Sequence, residues 1–200
     1  MRLIKISGLA GLAALMAMAF VGASTAIAGS TTLCKVDESP CSPGNQISHV
    51  HEVTIGKAKL LTNLITVECD ALFLGDVSGA TLNNPLSILG NFTYTNCGSC
   101  DVYETSAKSA IGVLRTAHEL AEVAGEGRVF VDCGAFVECE YIGKGLKGHG
   151  LGPLLAQEGL PKGSVSISEG TTINVGGFFC PEKAKLDIAT TPLTTTYISI

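Results

Sequence analysis

The sequence predicts an all-β, β-sandwich-like single domain held by disulfides, on three observations. Short runs alternate apolar and polar side chains with period two, turn residues recur between those runs, and all eight cysteines follow an apolar leader. The leader, "MRLIKISGLAGLAALMAMAFVGASTAIAGS", sets Arg2 and Lys5 before an uncharged apolar run. That run ends in small residues at Ala26-Ile27-Ala28. This is the order of a secretory signal peptide, so residues 1–28 are expected to be removed and residues 29–200 to form one secreted domain. Gly8, Gly11 and Gly22 interrupt the apolar run and no stop-transfer charges follow it, which argues against a membrane anchor. No later apolar run is long enough to span a bilayer.

Cleavage leaves 172 residues with 11 basic and 18 acidic side chains, a net charge of −7. That surface repels phosphate backbones and anionic headgroups, so nucleic acid is a poor partner; a protein or an apolar ligand fits better. An even cysteine count in an exported chain is read first as disulfides, because thiols outside the cytosol oxidise and stay oxidised. The residues concerned are Cys34, Cys41, Cys69, Cys97, Cys100, Cys133, Cys139 and Cys180. Spacing favours local rings: Cys34 with Cys41, Cys97 with Cys100, and Cys133 with Cys139. Cys69 and Cys180 remain as a long-range staple.

The elements follow in order. Residues 29–45 are polar and turn-rich. In "ISHVHEVTI" the residues Ile47, His49, His51, Val53 and Ile55 share one face of a strand, and "LITVEC" and "PLSILGNFTYTNC" continue the pattern. "GRVFVDCGAFVECEYIG" reads as two strands joined tightly with one wet face. "GSVSIS", "AKLDIAT" and "TTTYISI" are the later strands, giving roughly 10 to 12 in all. One segment departs from this. Between residues 106 and 124 the apolar positions Ala110, Val113, Leu114, Ala117, Leu120, Ala121 and Ala124 have helical spacing, which makes a short helix the competing expectation.

Several motifs suggest chemistry. Cys97 and Cys100 have the spacing of a redox dithiol, but they sit between strand-like runs, whereas thioredoxin-like chemistry needs a helix N-terminus to lower the thiol pKa. A structural clip at the Gly98-Ser99 bend suits that context better. A zinc set of Cys97, Cys100, Cys133 and Cys139 has too long a second spacing, so no metal or other cofactor is expected. His49 and His51 could meet one ion, yet no third ligand is identifiable. "HELAE", at His118 to Glu122, lacks the second histidine of a zinc-protease helix. "GKGLKG", residues 143–148, matches a dinucleotide fingerprint literally, with Glu169 at the expected distance. However, "HGLGPLL" follows it and offers no helix start, so a mobile loop containing His149 is expected instead. Asn91 heads a glycosylation sequon that a bacterial-looking leader leaves silent.

The final third, "VFVDCGAFVECEYIGKGLKGHGLGPLL" and "FFCPEKAKLDIATTPLTTTYISI", resembles a family of uncharacterised secreted bacterial proteins. Those proteins share a paired-cysteine strand region, a C-P-x-x-A-K-L-D stretch and a closing Y-I-S strand. The "LCKVDESPC" loop is similar to theirs as well, and together the marks cover about half of residues 29–200. The resemblance implies a β-rich exported domain with several disulfides, brings no catalytic residues, and leans residues 106–124 toward strands. The resulting expectation is a non-catalytic extracytoplasmic protein, either a binding or a cell-envelope-associated module. Two alternatives come from other classes: an exported thiol-disulfide enzyme using Cys97 and Cys100, and a metal-dependent hydrolase drawing on His49, His51, His118 or His149.

Overall fold

Valine, isoleucine, threonine and aromatic residues at alternating positions suit a half-buried pleated surface, and β structure is what the chain forms throughout. The computed structural model describes residues 31–78, 85–104, 108–134, 137–155, 162–169, 171–177 and 179–199. Residues 1–28, with the leader and its cleavage point, lie outside the described residues. The strands are β1 (Thr32–Cys34), β2 (His49–Thr54), β3 (Ala58–Leu61), β4 (Thr66–Ser78), β5 (Leu86–Thr95), β6 (Asp101–Glu104) and β7 (Ser109–Ala117). They continue with β8 (Leu120–Asp132), β9 (Glu138–Leu151), β10 (Val165–Glu169), β11 (Thr171–Gly176), β12 (Lys183–Pro192) and β13 (Tyr197–Ser199). No described residue is helical, and among them no helix is long and apolar enough to cross a membrane.

The pairings close the large antiparallel sheet on itself. Strands β2 and β3 run end to end along β4, β4 pairs β5, and β5 pairs β7. Strands β6 and β7 run end to end along β8, and β8 pairs β9. Strands β10 and β11 run end to end between β9 and β12, and β12 returns to β2 and β3. The result is eight staves in simple up-and-down order, three of them made of two strands each. Closure of this kind removes sheet edges, which would otherwise template aggregation, except between the second half of β5 and β6. The all-β, disulfide-rich class therefore holds, with two packed inner faces belonging to one continuous sheet.

Alternation decides which side chains enter the interior. Along β9, Cys139, Tyr141, Leu146 and Gly148 are buried while Glu138, Lys144, Lys147 and His149 face water. On β2 the parity puts Val50 and Glu52 inside and leaves His49 and His51 exposed. Val53 and Ile55 share the histidines' side of the chain, whereas Ile47, which precedes the strand, packs against the core, so period-two hydrophobicity alone points to the wrong inner face. Phe73 on β4 is 1% exposed and stacks against Phe92 of β5 at 4.7 Å. It lies over the facing pair Gly75 and Gly90, where a Cβ would come within 2.7 Å and 2.6 Å of its ring. Burying one such ring contributes about 1.5–3 kcal/mol.

The short helix expected near residues 106–124 is not formed. The described residues of that stretch, from Ser109 on, belong to β7 and β8, joined by a turn at His118 and Glu119. The reason is burial on both faces: Ser109 through Val113 are consecutively buried, so apolar residues recur at intervals that also match a helix. The "GKGLKG" stretch is likewise a correction. It lies within β9, paired to β8, β10 and β11, and is not a loop.

A second, two-stranded sheet of β1 and β13 caps one end of the barrel. Leu33 and Ile198 drop from it into the main core. Glu119, 1% exposed, holds this cap: its Oε1 accepts the Ile198 N–H at 3.1 Å, and its backbone carbonyl accepts the Gly152 N–H at 2.8 Å. The Arg115 N–H adds a bond to Thr31 Oγ1 at 2.9 Å. Replacing Glu119 by Ala orphans a buried N–H and is expected to cost roughly 2–3 kcal/mol in urea unfolding. Glu119→Gln, which keeps an acceptor, is expected to cost less; equal losses would mean that the contact is packing alone.

Candidate functional site

The barrel interior is not completely filled. Three cavities, of about 40, 50 and 30 Å³, lie in series inside it. The first, under the cap, is bounded by Leu33, Glu52, Ile198 and Ile111. Ile111 also borders the second, central cavity, where it meets Tyr141, Glu104, Leu146 and Ile167. Leu60, Tyr94, Val129 and Leu186 are shared by the central cavity and the third. Glycines Gly125, Gly127 and Gly143 form part of the central wall, and the side chains of Ile167, Ser109 and Leu146 pack over them, 3.0, 2.6 and 2.6 Å from where a Cβ would stand. An eight-stranded barrel is wide enough to be filled by its own side chains or to hold one small ligand.

The walls are apolar with a few buried polar groups. The Tyr141 side chain is 1% exposed, and its hydroxyl has no hydrogen-bond partner among the described residues. Burial raises the Tyr141 phenol's pKa, so the hydroxyl stays protonated and can donate. Burial, then the Glu104 charge, pushes the Tyr94 phenol up in the same way. Burial raises the carboxyls of Glu104 and Glu126, and Glu104 Oε1 accepts the Ser109 hydroxyl at 2.5 Å. In the cavity under the cap, burial also raises the Glu52 carboxyl, partly offset by the bond it accepts from Thr190 Oγ1.

The wall has one interruption beside this cavity. The first half of β5 pairs with β7, whereas Asn91 to Thr95 pair only with β4 on the other side. Strand β6 pairs only with β8. Phe92 and Tyr94 therefore face Glu104 across a slit with no backbone ladder among the described residues, bridged by the Glu104 carboxyl, which accepts the Phe92 N–H, and all three line the central cavity.

Two disulfides sit at the end of that slit where β5 turns into β6. Cys69–Cys97 ties β4 to the end of β5, and Cys100–Cys133 ties the start of β6 to the end of β8. Cys139–Cys180 joins β9 to the segment after β11, and Cys34–Cys41 closes the loop beside the cap. Only the last of these agrees with pairing by short spacing. Cys97 with Cys100, Cys133 with Cys139, and Cys69 with Cys180 are all corrected. Neighbouring staves bring distant cysteines together: register Asp101↔Asp132 sets Cys100 beside Cys133, with Cα atoms 4.1 Å apart. Thiol-disulfide chemistry at Cys97 and Cys100 needs those two sulfurs bonded to each other, and each is bonded elsewhere. Four disulfides fit an oxidising compartment.

The other candidate residues do not converge. His49 and His51 border a surface groove of about 400 Å³, with His49 Nδ1 2.9 Å from Asp76. Among the described residues neither belongs to a group of three metal-ligating side chains. His118 stands 3.6 Å from Asp37 with Glu119 near both. His149 is exposed on β9 opposite Glu122, far from the other histidines in the pairing pattern. Asn91 is exposed on β5.

The buried carboxyls set the pH dependence of folding. An unfolded Glu titrates near pH 4.3. Glu52 and Glu119 titrate higher in the fold, so between those values the folded state holds more protons. Their contribution is therefore lost as pH rises from about 4.3 through the folded pKa values. Glu38 and Asp70 act oppositely. Hydrogen bonds, chiefly from Ser42 and from Lys57 respectively, hold them low, and their contribution is lost as pH falls. Glu52→Gln is expected to raise the denaturation midpoint at pH 7.5 and leave it unchanged near pH 4. An equal offset at both pH values would show that Glu52 does not titrate with folding.

Sequence reading missed the interior polar groups, although Tyr141 does sit in the alternation Cys139, Tyr141, Gly143 on one face of β9. No protein-family model matches the chain, and no curated protein or solved structure matches it either.

Proposed function

We propose that the chain is an exported or cell-envelope-associated, non-catalytic binding protein that holds one small apolar ligand inside its barrel. The supporting observation is the series of apolar cavities with a buried, unpartnered Tyr141 hydroxyl in its wall. A buried donor left without a partner is costly, and binding sites are apolar hollows with a few placed polar groups. The slit between β5 and β6 supplies access, and two disulfides at the end where β5 turns into β6 tie its margins to β4 and β8. The acidic balance of the chain and its four disulfides suit an uncharged ligand and an oxidising compartment.

The test is titration with the neutral fluorophore N-phenyl-1-naphthylamine. Saturable binding of one equivalent is expected. Ile111→Trp, which fills the position shared by two cavities, is expected to weaken it about tenfold or more while the disulfides stay intact. Binding that is unsaturable, or indifferent to Ile111→Trp, would contradict an interior site.

A further inference from the structure

Resting on that reading, we infer that the ligand is an uncharged, slender acyl chain carrying one carbonyl acceptor, which the Tyr141 hydroxyl engages. The shape follows from the cavities, which are narrow and arranged in series, separated by Ile111 at one boundary and by Leu60, Tyr94, Val129 and Leu186 at the other. Along β5 the interior runs from Leu86 to Tyr94. At about 3.4 Å per residue and a tilt of about 40°, this gives an axial length of roughly 20 Å. A string of small spaces suits a slender, flexible chain better than a rigid polycyclic molecule, and the side chains that divide the hollows must move aside to admit it.

The polarity follows from the charges. Glu104 and Glu126 line the central cavity and Glu52 the one beneath the cap, so a carboxylate or phosphate head would meet carboxyl groups. The cation in the central wall, Arg128, is engaged by Glu140 at 3.1 Å. No free cation among the described lining residues offsets an anionic guest, and like-charge placement rejects it. What the wall does offer is a donor. Tyr141 is buried, unpartnered and neutral, and it calls for an acceptor such as an ester or ketone oxygen. A plain hydrocarbon would leave that donor unpaired.

The experiment displaces N-phenyl-1-naphthylamine from the intact, disulfide-bonded protein at pH 7.5 with three guests of equal chain length: a methyl ester, an alkane and a fatty acid. The same series is run on Tyr141→Phe and Glu104→Gln. The ester is expected to displace the probe at least about tenfold better than the acid. Tyr141→Phe is expected to weaken the ester by roughly 3- to 10-fold and the alkane by less than about twofold. Glu104→Gln is expected to narrow the gap between ester and acid. If the acid binds best, or if Tyr141→Phe weakens ester and alkane equally, the ligand class is wrong while the interior site stands. If none of the guests displaces a probe that Ile111→Trp excludes, the acyl-chain assignment is overturned. If the probe itself does not bind, the interior site falls as well.

Discussion

Cys97→Ala/Cys100→Ala is expected to destabilise the protein far more than Cys100→Ala/Cys133→Ala, although each variant removes two sulfurs. The first breaks two disulfides, Cys69–Cys97 and Cys100–Cys133, and the second breaks one. These bonds span sequence separations of 28 and 33 residues. In the loop-entropy account each constrains the unfolded chain by about 3.5–4 kcal/mol. The folded state loses as well, because β5 and β6 share no ladder and their margins are held through these sulfurs. A combined loss of about 7 kcal/mol approaches the whole stability of an ordinary domain, so Cys97→Ala/Cys100→Ala is expected to be unfolded or nearly so at 37 °C. Urea unfolding with far-UV circular dichroism checks this. Had the two cysteines bonded each other across Gly98-Ser99, the variant would lose one short ring and tolerate it.

Gly148→Ala is the second large effect. Gly148 lies in β9 opposite Ile167 of β10, and a Cβ there would stand 1.6 Å from the Ser166 carbonyl oxygen. The obstacle is backbone, with no flexible side chain to swing away, so the β9–β10 ladder must shift. A loss of about 3 kcal/mol is expected, at the upper end for overpacking. Gly44→Ala is the control, since nothing lies within 4 Å of the added atom. Equal midpoints for the two variants in urea would mean that β10 does not approach β9 this closely.

What the sequence made legible was local. Period-two alternation in "ECEY" and "NFTYT" marks real strands, and the even cysteine count anticipates four bonds. What it hid was non-local. Sulfur partners depend on register: Cys69 finds Cys97 only because β4 pairs β5 with Asp70 opposite Thr95. Closure of the staves is equally invisible, because it depends on β12 reaching β2 across most of the chain. The helical spacing at residues 110–124 misled because alternation vanishes where both faces are buried. The glycines of "GKGLKG" suggested a loop, yet in β9 they are wall positions at a crowded stave and beside a hollow. By alternation Tyr141 is one more residue on the Cys139 face of its strand. Its significance comes from an unpaired hydroxyl, which only three-dimensional surroundings can reveal.

The interior site is tested most directly by methyl-resolved NMR of the disulfide-bonded protein during titration with a long-chain methyl ester. Shifts concentrated at Leu60, Ile111, Leu146, Ile167, Leu186 and Ile188, with the exposed Leu64, Leu154 and Leu193 unchanged, are the expected result. Shifts confined to the exposed leucines, with the interior methyls silent at saturation, would contradict it.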